Sequence, residues 1–250
     1  MKKTLKILAA VMALALVIGV FAACGANTEE KATLTMVTNA EFPPYEFHEG
    51  DKIVGIDAEI AQAIADKLGM ELKIEDVAFD SIIPGVQAGK YDMGMAGMTV
   101  TDERLKSVNF SDPYAKGVQV IIVKEDSDIK TVDDVKGKKI GVQTSTTGDI
   151  YASDDYGEEN VTKFENGAVA VQALVSGKVD CVIIDNEPAK SYVEANKGLK
   201  ILETAYVEED YAICFNKNDK ELQEKVNGAL KELIADGTVK TIVDKYISAK

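Results

Sequence analysis

Isoleucine recurs at every fourth position through Ile56, Ile60 and Ile64, and the series ends at Leu68. That spacing lays four apolar side chains along one helical face, with Asp57 near its start, Lys67 in its last turn and Gly69 as its stop. Strand-like runs lie on either side, over residues 34–38 and 72–77. Pro43 and Pro44 predict an extended loop over residues 39–46. Phe79 falls in a turn, residues 81–88 read as a second helical stretch closed by Gly89, and residues 93–96 read as a short buried strand broken by Gly97. Thr101, followed by Asp102 and Glu103, predicts a capped helix start with acids in its first turn.

The second half repeats this plan. Residues 139–143 form a strand, residues 144–149 a loop of small residues, and a helix follows. Phe164 precedes a turn as Phe79 does, residues 169–175 are helical, and Gly177-Lys178-Val179-Asp180 echoes Gly89-Lys90-Tyr91-Asp92. Each echo leads into a short strand and then a candidate site, residues 96–104 in one half and Asp185 in the other. The alternation of strand and helix predicts two α/β lobes whose loops, at strand ends, face a shared cleft. Extended apolar runs at residues 117–123 and 207–215 supply two crossovers, hence a hinge with segments at about 114–118 and 207–211. Beyond Asn216, Leu222, Val226, Leu230 and Leu233 share one helical face, and a last helix carries Ile242, Val243 and Tyr246. Packed back on the first lobe, these helices make it discontinuous, residues 33–116 plus 212–250, with residues 117–211 as the second lobe.

Composition narrows the functions available. A formal charge of −14 over 250 residues excludes the basic patches that nucleic acid selects, and it argues against adhesion to an anionic lipid surface by charge. The first residues are addressing: Lys2, Lys3 and Lys6 precede an apolar run over residues 7–23 that ends at Cys24. Ala22 and Ala23 before a cysteine resemble a bacterial lipobox, so residues 1–23 are expected to be removed and Cys24 lipidated, leaving a polar tether over residues 25–32 and a more acidic body. Cys181 and Cys214 sit in apolar runs and are expected to be free, buried thiols. The single histidine, His48, lies in a polar segment and reads as a solvated turn residue, so no Ser–His or Cys–His pair and no His/Cys zinc cluster can be assembled without it. No Gly-rich Walker loop is present, and neither a cofactor nor a metal is expected.

The chemistry concentrates in residues 96–104, AGMTVTDER. A glycine turn between a strand end and a helix N-terminus offers backbone N–H groups to an anion. Thr99 adds a hydroxyl, and Arg104 a fork of donors suited to a carboxylate.

This stretch, continued by FSDPY at 110–114, resembles the extracellular amino-acid-binding proteins of polar amino-acid ABC importers, which have the two-lobed periplasmic-binding-protein fold. Supporting matches are NAEFPPYEF at 39–47, Gly55-Ile56-Asp57, Gly141-Val142-Gln143, Thr146-Thr147-Gly148, and Asp180 with Asp185. The resemblance implies that Arg104 clamps a ligand α-carboxylate with Thr99 and with Thr146 or Thr147. It implies that Asp185 and the Gly97 carbonyl take the α-ammonium, and that Phe42 and Phe79 face each other across a side-chain pocket. Asn39, Ala96 and Gln143 complete the implied site. Three positions bear on the ligand: Ser145 stands where relatives often have glycine, Asn39 where several relatives that bind cationic side chains have aspartate, and Glu41 offers a negative charge near the pocket mouth, although exposure is the commoner fate of a loop glutamate. The implied function is a monomeric, lipid-anchored receptor that delivers a polar L-amino acid, glutamine or arginine, to a permease driven by separate ATPase subunits. The rival is an enzyme on the same scaffold, a dehydratase acting on a small cyclic carboxylic acid, with paired carboxylates as acid and base.

Overall fold

The computed structural model describes residues 32–203 and 205–247. The expected export signal over residues 1–23, Cys24, and the tether up to residue 31 lie outside the described residues.

The first lobe opens with β1 (Thr33–Thr38), in which Leu34, Met36 and Val37 are fully buried. Residues 39–46 are not extended as the prolines predict. Tyr45 N–H donates to the Phe42 carbonyl at 2.9 Å, and β2 (Glu41–Phe42), β3 (Glu46–Glu49) and β4 (Lys52–Val54) pair as a small antiparallel sheet. The fixed φ of proline suits a tight turn as well as an extended run, and the pairing of Glu41 with Phe47 and of Phe42 with Glu46 decides for the turn. Gly55 then carries the chain into α1 (Ile56–Leu68) at φ 123°, where a Cβ would sit 2.3 Å from the Tyr45 carbonyl oxygen. Ile56, Ile60 and Ile64 are fully buried on the inner face of α1, and Gly69 ends the helix in the left-handed conformation.

After α1 come β5 (Glu71–Asp76), a 3-10 turn at Phe79–Ser81, α2 (Ile82–Gln87), β6 (Met93–Gly94), α3 (Asp102–Ser107) and β7 (Val108–Phe110). The strand expected over residues 93–96 is shorter. Its ladder stops at Gly94, and Met95 N–H makes a last bond to the Val37 carbonyl at 3.1 Å before the chain turns at Gly97 with φ 52°.

The second lobe is built from β8 (Ala115–Lys124), β9 (Ile140–Gln143), α4 (Thr147–Tyr156), β10 (Val161–Phe164), α5 (Gly167–Val175), β11 (Cys181–Asp185), α6 (Asn186–Ala195), β12 (Leu199–Ile201) and β13 (Val207–Tyr211). The chain returns through β14 (Cys214–Asn216) and ends in α7 (Lys220–Ala235) and α8 (Thr238–Tyr246). The two main sheets have strand orders β5-β1-β6-β14-β7 and β10-β9-β11-β8-β12, with β13 also pairing β8. β8 and β13 run antiparallel from Gln119↔Val207 to Ala115↔Tyr211 and form the two connections between lobes. At their crossing Gly117 is obligatory, because a Cβ there would lie 2.2 Å from the Tyr211 hydroxyl.

Each sheet is covered on both faces. On the first, α1, α7 and α8 share a core with Ile60, Phe215, Val226, Leu230 and Val239, and α2 closes the other face with Ile82, Val86, Met98 and Cys214. On the second, one face gathers Ile122, Leu174 and Val182, the other Ile121, Ile140, Ala152 and Ile183. Cys181 and Cys214 are free and buried. Among the described residues no helix is long and apolar enough to cross a membrane. The carboxyl ends of β1, β6, β9 and β11 deliver residues 39, 96, 144 and 185 to the space between the lobes, the position that parallel sheets reserve for ligands.

Leu230 is fully buried where α7 meets the first lobe. Leu230→Ala should cost about 2–5 kcal/mol of stability, read as a lower urea midpoint at unchanged m-value.

Candidate ligand-binding site

Between the lobes lies a narrow cavity, lined by Asn39, Phe42, Glu46, Phe79, Ala96, Gly97, Thr99 and Arg104 from the first lobe and Gln143, Thr146, Thr147 and Asp185 from the second. The structure thus brings together all the residues singled out from sequence and adds Glu46.

Gly97 must be glycine for two reasons: its φ is positive, and a Cβ would meet the Phe42 ring at 2.8 Å. Its N–H is held at 2.9 Å by Asp57 Oδ2, which also accepts from the Tyr114 hydroxyl at 2.8 Å. Asp57, which sequence suggested only as a helix-start acid, is fully buried beneath the turn. Thr101 caps α3 by accepting the Arg104 N–H at 3.1 Å, which fixes the first turn and with it the origin of the Arg104 side chain. Arg104 is 6% exposed, and its guanidinium donates from Nη1 to the Thr99 carbonyl at 2.8 Å and from Nη2 to the Ser145 carbonyl at 3.1 Å and lies 5.4 Å from the Phe79 ring centroid. Two of the five N–H groups a guanidinium offers are thereby used, and the remainder are left for a ligand. Burial opposes its charge, and the carboxylates of Glu209 and Asp185 offset that.

Ser145 explains itself once its backbone is seen. Its φ of 64° is a conformation natural to glycine, and serine adopts it here with its N–H on Asp149 Oδ2 at 2.9 Å and its carbonyl turned to Arg104. Thr146 is the N-cap of α4. Its hydroxyl donates to the Gln143 carbonyl at 2.8 Å and accepts from Asp149 N–H at 3.3 Å, so it is committed to the helix, while Thr147 Oγ1 accepts from Gln119 Nε2 at 3.3 Å and keeps its own proton to give. Asn39 and Gln143 meet across the cleft at 2.9 Å, and Asn39 is steadied by a bond to the Val77 carbonyl at 3.0 Å. Phe42 packs near Tyr45, with centroids 5.8 Å apart, and Phe79 beneath Arg104, so the two phenylalanines serve different parts of the wall.

Asp185 is 8% exposed and sits at the end of β11. It accepts from the Tyr211 hydroxyl and, at 2.8 Å, from Gln119 Nε2, which also donates to Glu209 Oε2 at 2.9 Å. Burial, then the charge of Glu209, pushes Asp185 from the ordinary 3.8 up to about 7. Gln119 and Glu209 lie on the two connecting strands and escaped the sequence reading, although a glutamine inside the apolar run 117–123 is a weak signal of such a role. Glu46 is 1% exposed and lines the cavity. Burial, then the charge of Asp57, moves its carboxyl well above the ordinary range.

Glu41 takes the commoner course of a loop glutamate: it is exposed, lines a separate surface depression, and its carbonyl accepts the Tyr192 hydroxyl at 3.0 Å. His48 is not a free turn residue, because pairing opposite Ile53 on β3 presents its Nε2 to Asp76 Oδ2 at 2.8 Å. Asp76 in turn holds the Ala40 N–H at 2.9 Å, next to Asn39. Among the described residues no cluster of His, Cys, Asp or Glu is placed to hold a metal ion.

The raised Asp185 retains its proton in the folded protein at pH values where the unfolded chain has lost it. Its protonation therefore stabilises the fold below pH 4, and that contribution disappears as pH rises through about 7. Urea unfolding of ligand-stripped protein should show stability falling from pH 4 to 7, and Asp185→Asn should reduce that slope.

Comparison with known proteins places the chain. The family model for bacterial extracellular solute-binding proteins, family 3, matches residues 34–249. The chain is 35% identical over 237 residues to the arginine-binding extracellular protein ArtP of Bacillus subtilis (strain 168), covering 91% of this chain and 92% of that one. Its structure superposes with a TM-score of 0.83 on the arginine-, lysine-, histidine-binding protein ArtJ of Geobacillus stearothermophilus, at 38% identity over 87% of this chain and 96% of the other. A TM-score of 0.83 is also reached with an ancestral arginine-binding protein bound to glutamine, at 43% identity over 88% and 99% of the two chains. This protein therefore belongs to the bacterial extracellular solute-binding proteins of family 3.

Proposed function

We propose that the protein is the receptor of an amino-acid ABC importer and that its ligand is L-arginine. One observation carries the ligand: the cavity wall holds one cation, Arg104, and two acids, Asp185 and Glu46. An amino acid enclosed in a cleft needs both backbone charges paired. Arg104 takes the α-carboxylate with Thr99 and Thr147, Asp185 takes the α-ammonium, and one acid is left over for a cationic side chain. Asp57 and Glu209, behind the wall, add to the same sign of field.

Residues 33–116 and 212–250 act as one lobe, residues 117–211 as the other, and β8 and β13 as the hinge. A ligand that contacts both walls favours the closed arrangement and shifts the equilibrium toward it. The closed form is what the permease and its ATPase subunits receive, and Cys24, lipidated after export, keeps the monomeric receptor at the outer face of the membrane.

L-glutamine is the second reading, favoured by Asn39, which with Gln143 presents amide groups to the side-chain end of the cavity, and by the relative that binds it.

Calorimetric titration of refolded, ligand-free protein tests the assignment. L-arginine should bind and agmatine, which lacks the carboxylate, should not. Arg104→Ala should weaken arginine binding by about 2–4 kcal/mol, roughly 30- to 1,000-fold. Undiminished affinity in a folded Arg104→Ala protein overturns the clamp.

A further inference from the structure

We propose that Glu46 is a proton-carrying selector: it keeps its proton against a neutral side chain and gives it up to solvent when a cationic side chain enters. The inference rests on the reading of the cavity as an amino-acid site and concerns how that site discriminates charge.

The geometry begins with the chain path. The tight turn at residues 42–45 brings Glu46 beside the first turn of α1, where Asp57 N–H donates to the Tyr45 carbonyl at 2.9 Å and Ile56 N–H to the Pro44 carbonyl at 3.1 Å. Two fully buried carboxyls are thereby placed together, Glu46 facing the cavity and Asp57 behind it. Two ionised carboxylates buried side by side repel each other, and holding one proton between them relieves that repulsion. Their roles differ. Asp57 Oδ2 already accepts from the Gly97 amide and the Tyr114 hydroxyl, which favours its charged form, whereas Glu46 has no donor of its own. The shared proton therefore resides on Glu46, consistent with the upward displacement of its titration by burial and by Asp57. Among the described residues neither Glu46 Oε2 nor Asp57 Oδ1 has a hydrogen-bond partner.

The surroundings reinforce this. The charges that bear on Glu46 come from Asp57 on α1, Asp185 at the end of β11 and Asp76 at the end of β5, all acidic. Asp76 is bonded to His48, and Tyr45 and Tyr114 supply only weakly acidic hydroxyls that burial pushes upward. The cation of the cavity, Arg104, is committed to carbonyls of both walls. A protonated Glu46 is a neutral acceptor and donor suited to a carboxamide or ureido group. A guanidinium brings the positive charge that this acidic corner lacks, and it stabilises the carboxylate. The Glu46 proton leaves for the buffer, and the charge in the pocket is conserved. Selectivity for arginine over a neutral analogue thus becomes a function of pH.

L-arginine and L-citrulline are the probes, since they share length and backbone charges and differ in the charge of the terminal group. Any proton released by Asp185 on meeting the α-ammonium is common to both and cancels. Calorimetry in buffers of different ionisation enthalpy should find arginine releasing about one proton more than citrulline near neutral pH. The affinity ratio of arginine to citrulline should climb by up to about tenfold per pH unit below the Glu46 titration point. In Glu46→Gln the excess proton and the pH dependence of the ratio should both disappear. Equal proton counts for the two ligands in the native protein, or a ratio flat from pH 5 to 9, overturn the proposal while leaving the amino-acid reading intact. Should arginine fail to bind at all, the arginine assignment falls and this inference with it.

Discussion

The structure depends on enclosing charge between two walls that each hold only part of the neutralising partners. An arginine 6% exposed and acids at positions 46, 57, 185 and 209 that are no more than 8% exposed all crowd the region where the lobes meet. Bringing such groups out of water costs several kcal/mol apiece unless they are paired or neutralised. The fold meets that cost at all but Glu46 with a fixed partner: carbonyls for Arg104, Gln119 for both Asp185 and Glu209, and the Gly97 amide with Tyr114 for Asp57. Those partners sit at strand ends and on the connecting strands, so the electrostatics of the cavity and the position of the hinge are set by the same residues.

Gln119 shows how tightly the two are joined. One amide nitrogen, with two protons to give, lies within hydrogen-bond distance of Asp185 from β11, Glu209 from β13 and, more distantly, Thr147 from α4, all from the middle of β8. Any rotation about the connections must carry this set as a unit or break it. Tyr211, the residue that forbids a side chain at position 117, also donates to Asp185. The anionic end of the site is therefore fastened to the strands that connect the lobes.

Much of this was legible in the chain. The four-residue spacing of isoleucine gave α1, the alternation of strand and helix gave the two lobes, and the Gly97 to Arg104 stretch together with Asp185 marked residues that the cavity does bring together. What the sequence hid has physical reasons. β10 and β12 are short edge strands, largely half-exposed, and α6 carries few apolar residues, so neither leaves a clear period. The hairpin after β1 was concealed because proline permits two backbone outcomes, and only the partner strand chooses. Glu46, Asp57, Gln119 and Glu209 were hidden because an acid or amide in a strand or helix start reads as solvent-facing until the opposite wall is known. Burial of a charge is a tertiary fact: Glu41 stays outward, a few residues from Glu46, which turns in.

The contacts that join the walls without touching the cavity's contents have a consequence of their own. Tyr192 on α6 donates to the Glu41 carbonyl at 3.0 Å from the rim, a bond worth about 0.5–1.5 kcal/mol in its own right. Measured affinity is the product of what the pocket recognises and how readily the lobes shut. A rim latch alters the second factor alone, so it scales affinity for every accepted solute by the same multiple. Capture strength and choice of solute are thus separate inheritable traits in this molecule. A lineage can retune how scarce a nutrient it scavenges through positions such as Tyr192, while the residues that decide which nutrient remain as they are.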